Sequence, residues 1–239
     1  MKKLLSGIAA VLFVFSASQS MAQARIGLKA GLNASNMMYN YEDSDLEPDS
    51  KMKLGFHIGA IVDLEVSDAL GIQTGLMFNQ KGVSYDLEES LGSGQSVEGY
   101  DRTTLNYLEI PIMAAVKLES FQLYAGPYLA YGIGGKNSYD FTISTQGASD
   151  VTEKDDIKLK GKMGEVDPAD LETDEGAFNA LDYGINAGVG FQTGPILINA
   201  GYSMGFGNVS PEYKGGFDPA DFKASNSVVS LSVSFFFGD

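Results

Sequence analysis

From Arg25 the chain alternates without a break. Ile26, Leu28, Ala30, Leu32 and Ala34 share one face of an extended segment, and Arg25, Gly27, Lys29, Gly31, Asn33 and Ser35 share the other. A helical repeat would scatter both sets around its circumference, so the period of two predicts a strand. The pattern recurs along the chain. Residues 53–66 set Leu54, Phe56, Ile58, Ala60, Val62, Leu64 and Val66 against Lys53, Gly55, His57, Gly59, Ile61, Asp63 and Glu65. Comparable alternation covers residues 70–81, 108–118, 123–133, 183–191, 196–204 and 228–237. About eight strands are therefore expected, each near the roughly 9–11 residues that a tilted strand needs to cross a bilayer.

The connections alternate as well. Residues 67–69, 119–120 and 193–195 are tight-turn chemistry, whereas residues 36–52, 82–102, 134–176 and 207–226 read as long loops. Short turns at one end and long loops at the other are the signature of an up-and-down outer-membrane barrel. Which face points outward decides the solvent. Apolar residues inside would make a soluble lipocalin-like barrel, and apolar residues outside a membrane protein. The apolar faces carry almost no charge over their whole height, and the opposite faces mix glycine with charge, as a narrow barrel interior requires. Both features favour the membrane.

One stretch, "NYLEIPIMAAVKL" at residues 106–118, places Glu109 and Pro111 within an apolar run. With Leu108, Ile110, Ile112, Ala114, Val116 and Leu118 toward lipid, Glu109, Pro111, Met113 and Lys117 all face the lumen. Glu109 is then expected to pair with a basic residue across the interior. Pro111 has no N–H to give a closed sheet, so a bulge or a missing ladder hydrogen bond is expected beside it.

Composition sharpens the picture. The chain has 29 glycines, 14 Phe and 12 Tyr, and it lacks Trp and Cys. The missing cysteines exclude disulfides and thiolate metal sites. Residues 1–24 read as a secretory signal: Lys2 and Lys3, an apolar run, then "AQA", with cleavage expected after Ala22 or Ala24. Residues 25–239 then form one barrel domain. Removing the leader takes away two lysines and no acid, moving the formal charge from -15 to -17. Such a chain is a poor partner for nucleic acid.

Four segments carry a family resemblance: "GLKAGLNASN" (residues 27–36), "YLEIP" (107–111), "YAGPYLAYGIGGK" (124–136) and "DYGINAGVGF" (182–191). Together they resemble the Bacteroidetes outer-membrane β-barrel family, porin-like or PorT-like. The resemblance implies a small outer-membrane barrel whose relatives include components of type IX secretion and gliding. It supplies no catalytic residue.

The inward faces collect Arg25, Lys29, Lys53, Lys81 and Lys117 against Asp63, Glu65, Glu109 and Asp182. Near-balanced signs predict an ionic network filling the lumen, since buried charges persist when paired. A proton or solute path is the alternative. Acid concentrates in the long loops, and "DPADLE" (167–172) and "DPADFK" (218–223) each carry a helix-start signature. Asp167, Asp170, Asp174, Asp218 and Asp221 are weak Ca²⁺ candidates without EF-hand spacing, so no metal site is assigned. Residues 139–145 and 156–162 alternate with too many polar residues for lipid, and predict an extracellular hairpin or strand extensions. A ten-stranded barrel is the alternative. His57, the single histidine, points into the lumen, where packing explains it better than catalysis. The expectation is an all-β, up-and-down antiparallel transmembrane β-barrel of eight strands (ten in the alternative). It carries no cofactor, has periplasmic termini, and contacts outer-membrane lipid and other envelope or secretion proteins. Three roles stay open: a non-enzymatic surface or assembly component, a narrow channel or solute-binding barrel, and a lipid-modifying enzyme using His57.

Overall fold

The computed structural model describes residues 24–41, 50–92, 94–147, 149–215 and 222–237. The expected leader lies outside them up to residue 23. Eleven strands form a single sheet among the described residues: β1 (Ala24–Tyr41), β2 (Ser50–Lys51), β3 (Lys53–Ser67), β4 (Leu70–Gly92), β5 (Gln95–Leu118), β6 (Phe121–Thr145), β7 (Val151–Lys162), β8 (Glu175–Asn179), β9 (Leu181–Thr193), β10 (Ile196–Gly205) and β11 (Phe222–Phe237). Eight of them pair in sequence order, antiparallel, as the ring β1, β3, β4, β5, β6, β9, β10 and β11. β11 closes on β1 from Ile26↔Phe237 to Tyr41↔Phe222. These are the eight strands that alternation predicts. β6 pairs directly with β9 from Phe121↔Phe191 to Tyr131↔Leu181, so β7 and β8 have no place in the wall.

The ring is inverted relative to a soluble core. Leu32, Ile58, Leu76, Ile112, Leu129, Val189, Ile198 and Leu231, one from each ring strand, are 43–66% exposed. Their neighbours on the other face are buried, including Asn33, Met77, Met113, Tyr128, Asn199 and Ser232. No soluble surface tolerates an apolar belt of that extent, whereas hydrocarbon demands one. The closed ring leaves the wall without a free edge, as backbone in lipid requires.

Pro111 interrupts this wall as expected. The β4–β5 ladder breaks off after Thr74↔Ile112 and resumes in the same register at Met77↔Glu109, leaving Ile110 and Pro111 unpaired on that side. On the other side the β5–β6 ladder breaks between Pro111↔Tyr128 and Ala114↔Ala125, opposite Pro127.

Residues 82–92 and 95–102, expected as loop, are instead strand. β4 and β5 run on as a hairpin from Gly82↔Thr104 to Gly92↔Gln95. β6 and β7 form the hairpin expected further on, paired from Gly135↔Leu159 to Ile143↔Val151. Together they make a polar sheet beyond the apolar belt. Gly82 and Gly134 flank β5 where the strands leave the belt, with φ of 149° and 147°, a conformation that side chains rarely adopt. "DPADLE" opens a 3-10 turn at Pro168–Asp170, with Asp167 accepting from the Ala169 amide at 3.0 Å. Residues 218–221 of the second copy lie outside the described residues, and its Phe222 and Lys223 begin β11. The first residues of β1, the last of β11 and the three short turns share one end of the barrel, opposite the polar sheet.

Val233 sits in mid-belt, paired with Ala30 and Ile198. Val233→Arg is expected to cost about 2–4 kcal/mol in lipid vesicles, measured by denaturant unfolding. Glu98→Arg, on the exposed polar sheet, should stay within about 0.5 kcal/mol.

Candidate functional site

Among the described residues the lumen gathers buried, chemically capable side chains, because every second residue of eight strands points there. From the end bearing the short turns, three layers follow.

The first is an ionic knot. Arg25 and Asp63 lie directly opposite each other in the β1–β3 register, and Arg25 Nη2 donates to Asp63 Oδ2 at 2.5 Å. Lys117 reaches the same oxygen at 3.1 Å and Glu65 Oε1 at 3.3 Å. Arg25 also donates to Gln192 at 3.2 Å and stacks 4.7 Å above the Phe236 ring. Above it, Ile61, Met77, Leu197 and Phe236 form a small apolar cluster.

The middle layer is polar. Gln73 donates to Gln122 at 3.2 Å and Gln122 to Asn199 at 3.4 Å. His57 and Asn33 meet at 2.8 Å, and Asn33 donates in turn to Asn79 at 2.7 Å and to the Gln80 carbonyl at 2.9 Å. His57 packs over Gly31, where a Cβ would come within 2.7 Å of the imidazole Nε2.

The third layer is a buried triad. Lys81 Nζ lies 2.9 Å from Glu109 Oε2 and 3.0 Å from Asp182 Oδ2, and all three side chains are at most 5% exposed. Glu109 accepts further from Asn79 at 2.9 Å, and Asp182 from Asn226 at 2.9 Å and Tyr128 at 3.3 Å. The Lys81 ammonium sits 4.2 Å from the Tyr128 ring centre and 5.2 Å from that of Tyr107. Such saturation is what a buried ion cluster needs. Above the triad lies an apolar layer. Val83, Leu105, Tyr107, Phe178 and Val209 pack together, with Phe178 edge-on to Tyr107 at 5.9 Å.

The nine charges expected to form one network therefore fall into two clusters and two outliers. Arg25, Asp63, Lys117 and Glu65 make the knot, and Lys81, Glu109 and Asp182 the triad. Lys29 and Lys53 make no ion pair within 4.0 Å among the described residues. Lys29 instead lies 6.0 Å from the Tyr124 ring centre, and Lys53 donates to the Leu54 carbonyl at 3.2 Å. Register explains the first case: opposite Lys29 stand Gly59 and Ser234, neither of them acidic. Sequence reasoning passed over Asn33, Asn79, Asn186, Asn226 and Tyr128. All occupy inward positions two or four residues from other lumen residues, and that phase was the available signal.

Of the Ca²⁺ candidates, Asp167 lies 3.5 Å from Lys214 and Asp174 3.6 Å from Lys158. Asp218 and Asp221 lie outside the described residues, and no group of three acidic or histidine side chains placed for a metal occurs among those described.

Residues 16–210 match the family described as outer membrane protein beta-barrel domain. Comparison with curated proteins finds no match. Among solved structures the chain is similar to the attachment invasion locus protein Ail of Yersinia pestis, at 14% identity over 89% of this chain and 99% of Ail, with a TM-score of 0.37. It is similar to neisserial surface protein A at 12% identity over 90% and 99%, with a TM-score of 0.39. The Acinetobacter baumannii protein CarO2 gives 11% identity over 89% and 99%, with a TM-score of 0.38. Likenesses of this strength convey no role.

Lys81→Met strands two buried carboxylates and is expected to cost about 3–5 kcal/mol in reversible unfolding. Replacing all three residues, as Lys81→Met with Glu109→Gln and Asp182→Asn, should recover most of that loss. Arg25→Met should cost less than Lys81→Met, because Lys117 still pairs Asp63 at 3.1 Å. On the polar sheet, the hydrogen bond from Lys160 holds the Glu175 carboxyl below the usual carboxylate range, helped by the Glu172 amide. A depressed folded-state pKa gives stability that is complete above the unfolded value and lost as pH falls through the folded one. Amide exchange protection in β8 should therefore hold through neutral and mildly acidic pH and drop below about pH 4.

Proposed function

The chain belongs to the outer membrane protein beta-barrel domain family, and from that premise we propose that it is a non-enzymatic surface or secretion-assembly component whose barrel conducts nothing. The observation that carries this reading is the stoppered lumen: the Lys81, Glu109 and Asp182 triad lies directly beneath the apolar layer of Tyr107, Phe178 and Val209. With no through-path, the part offered to partners is the polar sheet built by β4, β5, β6 and β7. The resemblance of four motifs to those of Bacteroidetes barrels supports an assembly role in such an envelope. Lys2 and Lys3, the apolar run after them and "AQA" favour processing of residues 1–24 and a mature domain over 25–239. Short turns conventionally face the periplasm, which would put both termini there and the polar sheet outside. Against an enzyme, His57 has Nδ1 engaged by Asn33 at 2.8 Å and lies in the lumen, away from lipid headgroups.

A second reading, a small-solute-binding barrel, is favoured by one feature. At the mouth, Met37, Leu105, Ile157, Leu159, Phe178 and Val209 line an open cup of about 300 Å³.

Planar-bilayer recording of the purified protein is expected to show no stable single-channel steps. Reproducible steps of one size would overturn the closed-lumen reading. Cross-linking in intact outer membranes should recover envelope proteins through residues of the polar sheet, and His57→Ala should leave the lipid A mass spectrum unchanged.

A further inference from the structure

Between the knot and the triad the lumen keeps a chamber with about 60 Å³ of space open to the centre of a water molecule. Lys29, Asn33, His57, Glu109, Asn186 and Ser230 are among its lining residues. Hydrogen-bond directions inside it are fixed by the surrounding chain. Asn33 uses its amide N–H groups on Asn79 Oδ1 and the Gln80 carbonyl, so its Oδ1 must accept from His57. His57 therefore carries its proton on Nδ1, and Nε2 is a bare acceptor. Among the described residues that Nε2 has no partner, and neither has Asn186 Oδ1, although His57 and Asn186 are only 6% and 8% exposed. Asn186 spends its N–H on Glu109 Oε1 at 3.5 Å. The chamber thus joins one strong donor, the Lys29 ammonium, to two orphaned acceptors.

Charge excludes an ionic guest. Lys81, Glu109 and Asp182 sum to -1, and Lys29 brings the enclosed total to zero, so an added anion or cation would leave a net charge in a space of low dielectric. A guest must be neutral, accept from Lys29 and donate to His57 Nε2 and Asn186 Oδ1. We propose that the chamber is a resident hydration site, holding a cluster of roughly four to six ordered waters at ~10–15 Å³ of such space each. The cluster ties Lys29 to the Asn33, Asn79, Glu109 and Lys81 chain, giving this otherwise unpaired lysine its link to the triad. A barrel closed to solutes is then wet at its centre.

The inference rests on the closed-lumen reading, but its test is separate from conductance. His57 is the single histidine, so ¹⁵N-histidine labelling gives one imidazole spectrum for the chain in phospholipid nanodiscs. The expected result is the Nδ1–H tautomer, an Nε2 shift characteristic of an accepted hydrogen bond, and magnetisation transfer from water to the ring protons. Ser230→Leu fills the chamber and should abolish that transfer while leaving the tautomer, which Asn33 holds. An Nε2–H tautomer, a ring with no water contact, or undiminished transfer in folded Ser230→Leu would each overturn the proposal. Should Ser230→Leu fail to fold, the wild-type tautomer and water contact decide it alone.

Discussion

Hydrocarbon offers no hydrogen-bond partner, so each backbone amide within the membrane must find one on a neighbouring strand. Closure of β11 onto β1 follows from that requirement, and most of the molecule follows from closure. A ring of eight strands has an interior wide enough for side chains and little else. Its outer face must match lipid, so apolar residues point out and the usual core is displaced to the surface. The interior is then left to polar residues that cannot be solvated in bulk. Where Pro111 and Pro127 withhold a donor, the ladder simply lapses for two residues and resumes in register, and the ring survives because the strands on either side are paired.

Neutrality governs what fills the lumen. Arg25, Asp63, Lys117 and Glu65 balance one another at one level, and Lys81 with Glu109 and Asp182 leaves a single negative charge that Lys29 offsets at another. One apolar cluster lies next to the knot and another above the triad, with hydrogen-bonded polar side chains between them. The saturation of Asp182, with Lys81, Asn226 and Tyr128 around it, marks the triad as a fixed part of the fold rather than a mobile filter.

The eight wall strands were legible because lipid imposes a simple rule, and residues such as Leu108, Ile110 and Ile112 obey it. The same rule stops at the membrane surface. Asp86, Glu88, Glu89 and Arg102 sit on strands with no apolar face to report them, so the β4–β5 hairpin read as a loop. The strand face carrying each of the nine charges was equally legible, but their pairing was not. Arg25 meets Asp63 across one ladder, whereas Lys29, four residues along the same face, meets Gly59. Lys81 finds Asp182 across the barrel, at a sequence separation of 101. Such contacts depend on register and height, which a single strand's pattern does not contain.

The central claim is the phase of the wall: apolar residues to lipid, polar residues to the lumen. The chain has no cysteine, so single cysteines placed at each position from 107 to 116 carry the only thiol. Labelling with a lipid-dissolved maleimide in vesicles measures that phase directly. The account requires strong labelling at 108, 110, 112, 114 and 116 and protection at 107, 109, 111, 113 and 115. The opposite phase, or labelling without a period of two, would contradict it.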